Sequence, residues 1–214
     1  SLENNDFAEE GFLNSEAKYT ICGVKESSVQ NQKLGFSTHS SWGHGMAEQD
    51  RWNEVLSKAG FSISRDAVYW VHVQKKPGSV IELRDDHKAF LKIAYENDIG
   101  MLVQLAGSEG THSANYFPET DEELSNFYTY VYETIKLVKE INPKTKYVEF
   151  YNEYGNQDPK VATRMQKTGY EAAKAADPEI IVIGGATARV PLEFIESLLK
   201  EGFGNYIDAF SGHP

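Results

Sequence analysis

The sequence predicts an α/β fold, an incomplete (β/α)8 TIM barrel with about six of its eight βα units present. Three observations lead there. Short β-prone apolar runs alternate with amphipathic helical stretches from residue 34 onward, and strict alternation implies a parallel sheet. Units of about 30 residues, the pitch of such barrels, leave room for about six between 34 and 214. A doubly wound nucleotide-binding sheet would place a Gly-rich turn directly after its first strand. Here only Gly43-x-Gly45 occurs, well beyond that strand. The chain thus divides into an irregular N-terminal lead-in, residues 1–33, rich in Asn, Glu, Ser and Gln, and a partial barrel over 34–214.

The elements follow in order. Leu34–Thr38 is the first strand, and a loop Ser40-Ser41-Trp42-Gly43-His44-Gly45 follows it. A helix runs from about Ala47 to Lys58, with Trp52, Val55, Leu56 and Ala59 at helical spacing and Gly60 ending it. Trp52-Asn53-Glu54 lies inside this helix and reads as a solvated face. Phe61–Arg65 is the second strand. Asp85 or Asp86 caps a helix that runs to Asn97, and Gly100–Leu105 is the third strand. Thr120 with Glu123 forms a capping box for a long helix stopped by Asn142-Pro143. Tyr147–Tyr151 is the fourth strand. Asp158-Pro159 starts a helix to Ala176, with Pro at its first position. Glu179–Ile183 is the fifth strand and Gly184-Gly185 a turn. Pro191 opens a helix to Glu201, and Tyr206–Ser211 is the sixth strand.

Composition narrows the function classes. The net charge is −11 and the pI about 5.0, which does not suit nucleic acid or anionic membrane surfaces. No 18-residue apolar run is present to span a membrane. Aromatic residues make up 12%, with 12 Tyr and 11 Phe, a composition that suits a sugar-binding cleft. The lone Cys22 leaves no internal disulfide and no cysteine metal site. His39, His44, His72, His87, His112 and His213 form no His-x-His or His-x-x-x-His pair, so no metal centre is expected. No signal peptide is seen, and the chain opens at Ser1-Leu2-Glu3 without Met, as a mature or trimmed form would. Secretion, a periplasmic location and a cytoplasmic one are all compatible with this.

The most informative stretch is Lys146-Tyr147-Val148-Glu149-Phe150-Tyr151-Asn152-Glu153. A β-prone run ends in an Asn-Glu pair, which delivers a carboxylic acid to the C-terminal end of a strand. Parallel α/β folds place their chemistry at that end. Glu149 shares side-chain parity with Glu153 and points inward, where a structural acid paired with Arg or Lys is expected.

Glu149-Phe150-Tyr151-Asn152-Glu153 resembles the fourth-strand signature of the clan A glycoside hydrolases, with Tyr151 in a place usually held by Trp. Arg65, with Trp70 shortly after, resembles their second-strand Arg. Ile207 to Pro214 is similar to their sixth strand, and Gly35 to His39 to their first. The resemblance covers about Leu34 to Pro214. It implies that Glu153 is the general acid/base and that Asn152 binds the sugar hydroxyl beside the anomeric carbon. It also implies that Arg65 and His213 flank the nucleophile. His39 and Tyr151 join them as substrate-binding residues; Trp42 either stacks on a sugar ring or caps the barrel mouth, and Arg65 also reads as the partner of a buried carboxylate. The nucleophile is implied to be a Glu ending a seventh strand, beyond this sequence, so the 214-residue chain is expected to be inactive alone.

The expected function is a retaining glycoside hydrolase acting on oligo- or polysaccharides through two carboxylates, which implies no cofactor. Two alternatives stand beside it: a non-catalytic carbohydrate-binding barrel, and a sugar-phosphate isomerase or lyase barrel with its phosphate site near the seventh and eighth strands. An open barrel leaves the edges of its first and sixth strands unpaired. A further C-terminal segment or a second copy is expected to cover them.

Overall fold

The structure is a computed structural model that describes residues 31–38, 40, 46–108, 110–153 and 157–213. Six parallel strands lie side by side in sequence order and curl into an open barrel with helices on the outside. The strands are β1 (Asn31–Ser37), β2 (Phe61–Tyr69), β3 (Gly100–Ala106), β4 (Tyr147–Phe150), β5 (Ile181–Ala188) and β6 (Ala209–His213). The helices are α1 (Met46–Lys58), α2 (Trp70–Val73), α3 (Asp85–Glu96), α4 (Asp121–Ile141), α5 (Pro159–Ala176) and α6 (Leu192–Lys200). A 3-10 turn spans Phe203–Tyr206. The predicted fold class is the observed one.

Helix starts were legible where a side chain caps them. Thr120 accepts from the Glu123 amide and the Glu123 carboxylate accepts from the Thr120 amide, completing the capping box of α4. Asp158 accepts from Lys160 N and Val161 N, and Pro159 follows at the first turn of α5. At α3 the expectation fails. The cap residue is Arg84, with no side-chain cap, and Asp85 and Asp86 lie in the first turn. Carboxylates are favourable there through the helix dipole alone.

Strand bounds differ more. β1 begins at Asn31, ahead of the predicted start. β2 continues past Arg65 to Tyr69, because Asp66 is buried and fully engaged rather than a break. It accepts from Thr38 Oγ1 at 2.7 Å, Ser40 N at 2.6 Å and Ala67 N at 2.7 Å. Gly184-Gly185 is not a turn but part of β5, where the pairing with β6 slips between Gly184 and Thr187. Gly185 has φ +101°, a conformation β-bulges reserve for glycine. A Cβ on Gly184 would stand 2.3 Å from Ile207 Cγ2. Tyr206 belongs to the 3-10 turn, and β6 starts at Ala209. In α1 the helix turns differently from its apolar spacing: Trp52 is exposed and Asn53 buried. That spacing does not show which side α3 approaches.

The two faces of the sheet contrast. Phe150 meets Phe127 of α4 and Gly169 of α5, so its face is the helical one. Val68, Leu105, Val148, Phe150 and Val182 are fully buried there. Residues of the opposite parity line the inside of the curl. Ile63, Leu102, Tyr147, Ile181 and Ile183 are only partly buried, and Ala209 is exposed. The inner face also holds charge: Arg65 of β2 reaches across β3 to Glu149 of β4, with Nε at 2.9 Å and a terminal guanidinium nitrogen at 2.6 Å from Oε2. This is the partner expected for Glu149. Ser211 of β6 donates to Oε1 of the same carboxylate at 2.7 Å.

Outside the sheet, Trp70 is stacked between His112 and Tyr130 at centroid distances of 4.5 and 4.9 Å. Its indole N–H donates to Gln74 Oε1 at 2.6 Å. His87 is fully buried beside His72 and Phe90. Burial pushes its imidazole down to about 4, against the weaker pull of Asp86.

Three outcomes follow. A Cβ at Gly169 would lie 2.5 Å from the buried Phe150 ring. Gly169→Ala should therefore lower stability by about 1 kcal/mol net of its helix-propensity gain, or about 2–4 °C in a thermal melt. A higher Tm would show that the contact yields. Arg65→Met strands Glu149, whose side chain is 2% exposed. The expected loss in urea unfolding is about 3–5 kcal/mol, partly restored by adding Glu149→Gln. A loss well under 1 kcal/mol would contradict the pair's burial. Because His87 is neutral in the fold, the unfolded chain binds the extra proton. Stability is full above about pH 6.5 and falls as pH drops toward about 4, by up to about 3 kcal/mol. His87→Leu should flatten that decline in urea midpoints measured across this window; an unchanged slope would assign the acid sensitivity elsewhere.

Candidate active site

The site is assembled where β4 ends. The ladder stops at Phe150, and the chain passes through Tyr151 at φ 60° and Glu153 at φ 53°. Left-handed backbone at non-glycine residues costs on the order of 1–3 kcal/mol each and persists only where the surroundings hold it. Here they do. Tyr151 N donates to Leu105 O at 2.9 Å, and Glu153 N donates to Ala186 O at 2.6 Å. Ala186 itself has φ 39° within the β5 bulge, and its N donates to Ser211 Oγ at 3.0 Å. Gln104 Nε2 donates to Tyr151 O at 3.1 Å, and the Tyr116 hydroxyl donates to Asn152 O at 2.6 Å.

The twist at Tyr151 changes where its side chain goes. Alternation from Glu149 would send it inward. Instead it is buried with Tyr116, Phe117 and Phe127, and its hydroxyl bonds to Ser108. Burial pushes its phenol well above the ordinary tyrosine range. Tyr151 thus lies beneath the site and does not line it.

The other residues meet at the C-terminal rim. A guanidinium nitrogen of Arg65 donates to Asn152 Oδ1 at 3.0 Å, and Gln104 Nε2 donates to the same oxygen at 3.1 Å. His213 Nδ1 lies 2.9 Å from Glu153 Oε1, with the Glu153 side chain half exposed and His213 partly covered. A cleft of about 240 Å³ opens beside them, lined by Thr38, Arg65, Tyr69, Gln104, Gly107, Tyr116 and Asn152 among others. It joins the ends of β1, β2, β3 and β4. His39 and Trp42, also expected at the site, lie outside the described residues.

A larger hollow of about 270 Å³, lined by Ser62, Ile63, Asp98, Gly100, Lys144 and Tyr147 among others, sits at the opposite end of the strands. In parallel barrels that end carries stability rather than chemistry. Among the described residues, no group of three or more His, Cys, Asp or Glu is placed to hold a metal ion. No helix there is long and apolar enough to cross a membrane.

Sequence reading did not find Gln104, Tyr116, Ser108 or Ser211. Gln104 had a signal: it is the one polar side chain in the run Met101-Leu102-Val103-Gln104-Leu105, and a buried polar group must find partners. Tyr116 had none, because its contact is made by a loop 36 residues from Asn152.

No family model and no curated protein matches the sequence. Solved structures do match. The chain is similar to a family 39 glycoside hydrolase from the gut symbiont Bacteroides cellulosilyticus WH2, with a TM-score of 0.70 at 22% identity, over 84% of this chain and 37% of that one. It is similar to the GH53 catalytic domain of Ignisphaera aggregans, with a TM-score of 0.60 at 17% identity, over 84% of this chain and 58% of that one. For a fungal β-1,4-galactanase structure the values are 0.63 and 13%, over 84% of this chain and 63% of that one. The chain therefore spans between 37% and 63% of the length of these structures. At these identities the likeness is one of fold: over its six described strands the chain has the parallel (β/α) barrel fold of these glycoside hydrolase structures.

Proposed function

We propose that this chain is the larger part of a retaining glycoside hydrolase domain that cleaves O-glycosidic bonds of oligo- or polysaccharides. The observation that carries the reading is the strand end of β4. It holds Glu153 half exposed at the C-terminal rim, next to an Asn152 fixed from two sides, with His213 against its carboxyl group.

In this mechanism Glu153 gives its proton to the leaving oxygen as the C1–O bond breaks. A second carboxylate forms a bond to C1 from the opposite face. Water then attacks C1, Glu153 takes the proton of that water, and the bond to the second carboxylate breaks. The second carboxylate belongs to a seventh strand, beyond the six described. Asn152 binds the sugar hydroxyl beside C1. Arg65, held by Glu149, fixes Asn152 and brings positive charge to the wall that the second carboxylate would face. His213 flanks Glu153 on the other side. Tyr151 supports the strand end from below. The partly exposed inner face is covered by further strands of the protein or by a second copy.

Glu153→Ala in the full-length protein tests this. Hydrolysis of an unactivated disaccharide should fall by about 10²–10⁴-fold, while a 2,4-dinitrophenyl glycoside, whose leaving group needs no proton, should lose far less in its first step. Azide should accelerate turnover of the glycosyl-enzyme and yield a glycosyl azide. Equal loss on both substrates without azide rescue would remove Glu153 from the acid/base role. Saturable oligosaccharide binding with no turnover in the unaltered protein would favour a carbohydrate-binding barrel instead.

A further inference from the structure

The strand end that presents Glu153 is not held by its own sheet alone. Two of its carbonyls, those of Tyr151 and Asn152, point away from the ladder because the backbone is left-handed on either side of Asn152. Each is taken by one side chain from β3 or from the loop after it: Gln104 Nε2 on Tyr151 O and the Tyr116 hydroxyl on Asn152 O. Both donors are themselves held by neighbours. Gln104 is buried in the middle of β3. Tyr116 sits in a loop that the Glu123 carboxylate pins by accepting from Ala114 N, Glu119 N and Thr120 N, each at 2.9 Å. The Ser113 hydroxyl donates to Asn115 O at 2.7 Å in the same loop.

The Gln104 amide does a second thing. It shares Asn152 Oδ1 with Arg65. Two donors occupy that oxygen, so the amide of Asn152 is turned with Nδ2 away from them. Among the described residues Nδ2 has no hydrogen-bond partner of its own. An Asn held this way offers the cleft hydrogens only, and the group it meets must be an acceptor.

We propose that Gln104 and Tyr116 are positioning residues. They act as a two-armed clamp on the carbonyls of Tyr151 and Asn152 that aims Glu153 and commits Asn152 to donate to the substrate. The aiming role rests on the glycosidase reading above; the clamp itself does not. The ligand group it implies at Asn152 is an oxygen acceptor, such as a sugar hydroxyl oxygen, rather than a donor-only group. Removing the Tyr116 arm frees the carbonyl next to Glu153 and misdirects the acid. Removing the Gln104 arm frees both the backbone and the Asn152 amide.

The test uses Tyr116→Phe and Gln104→Met, which keep shape and remove the donor. In the full-length protein, hydrogen exchange of the Glu153 amide should quicken about tenfold in each variant, with α4 amides unchanged as the control for global stability. In the full-length protein, the substrates are an unactivated disaccharide and a 2,4-dinitrophenyl glycoside of whichever β-glucoside, β-galactoside or β-mannoside it cleaves fastest. Tyr116→Phe should lower kcat on the disaccharide by about 10- to 100-fold and leave the activated substrate within about threefold. Gln104→Met should lower kcat/KM on both, since Asn152 serves both. Unchanged Glu153 exchange in both variants overturns the clamp. Faster exchange with unaltered kinetics on both substrates overturns the aiming role. If the full-length protein cleaves no glycoside, the glycosidase reading fails, the aiming role fails with it, and the exchange result alone decides the clamp. Should Gln104→Met not fold, Tyr116→Phe, at a partly exposed loop position, carries the same two readouts.

Discussion

The ion pair between Arg65 and Glu149 sets the terms for everything at the rim. Both charges lie on the inner face of a curled sheet, with the Glu149 side chain 2% exposed. Taking two charges out of water is costly, and the pair survives only because the remaining valences are met. Ser211 satisfies the second carboxylate oxygen, and Asn152 takes another guanidinium N–H. The consequence is geometric. Four strands (β2, β4, β6 and, through Gln104, β3) are referred to one buried centre, and the end of β4 sits where that centre allows.

Strain is gathered at the same place. Three non-glycine residues with left-handed backbone, Tyr151, Glu153 and Ala186, meet where β4 ends and β5 bulges. The hydrogen bond from Glu153 N to Ala186 O joins the two irregularities. Regular backbone would continue the alternation and send Tyr151 into the barrel. The strained backbone instead buries Tyr151 under the loop aromatics and lifts Asn152 and Glu153 to the rim. Such strain persists when a rigid surround over-determines it, and the surround here is rigid: the stacked Trp70, His112 and Tyr130, and the Glu123 carboxylate that caps α4 and pins the preceding loop together.

The sheet is sealed by helices on one face and lined on the other by partly covered side chains. Its outer residues are sealed by helices, while Ile63, Leu102, Tyr147 and Ile181 keep part of their surface. In a closed barrel those inner side chains would stack in layers. Apolar inner residues at the start of the strands and charged or amide residues toward their ends give the curl a direction, with polarity rising toward the rim that holds the candidate site.

By itself the sequence determined the order and kind of the elements. Alternating periods of two and 3.6 residues, the Thr120–Glu123 box and Asp158-Pro159 are local signals, and local signals are readable along a chain. It also marked Asn152-Glu153 as a strand-end pair and Arg65 and His213 as residues near the same rim. Tertiary structure decided the rest. The sequence places the end of the second strand at Arg65, but Thr38 and Ser40 satisfy the Asp66 carboxylate and the strand runs on to Tyr69. Gly184-Gly185 looked like a turn until Ile207 and Phe203 left no room for a side chain. Tyr151 shared its parity with Glu149 until its backbone turned left-handed. The pairing of Arg65 with Glu149 spans 84 residues, and that of Tyr116 with Asn152 spans 36. Contacts of that reach have no period in the sequence, because the partner is chosen by how strands curl and loops close over them, and only the folded chain brings the two together.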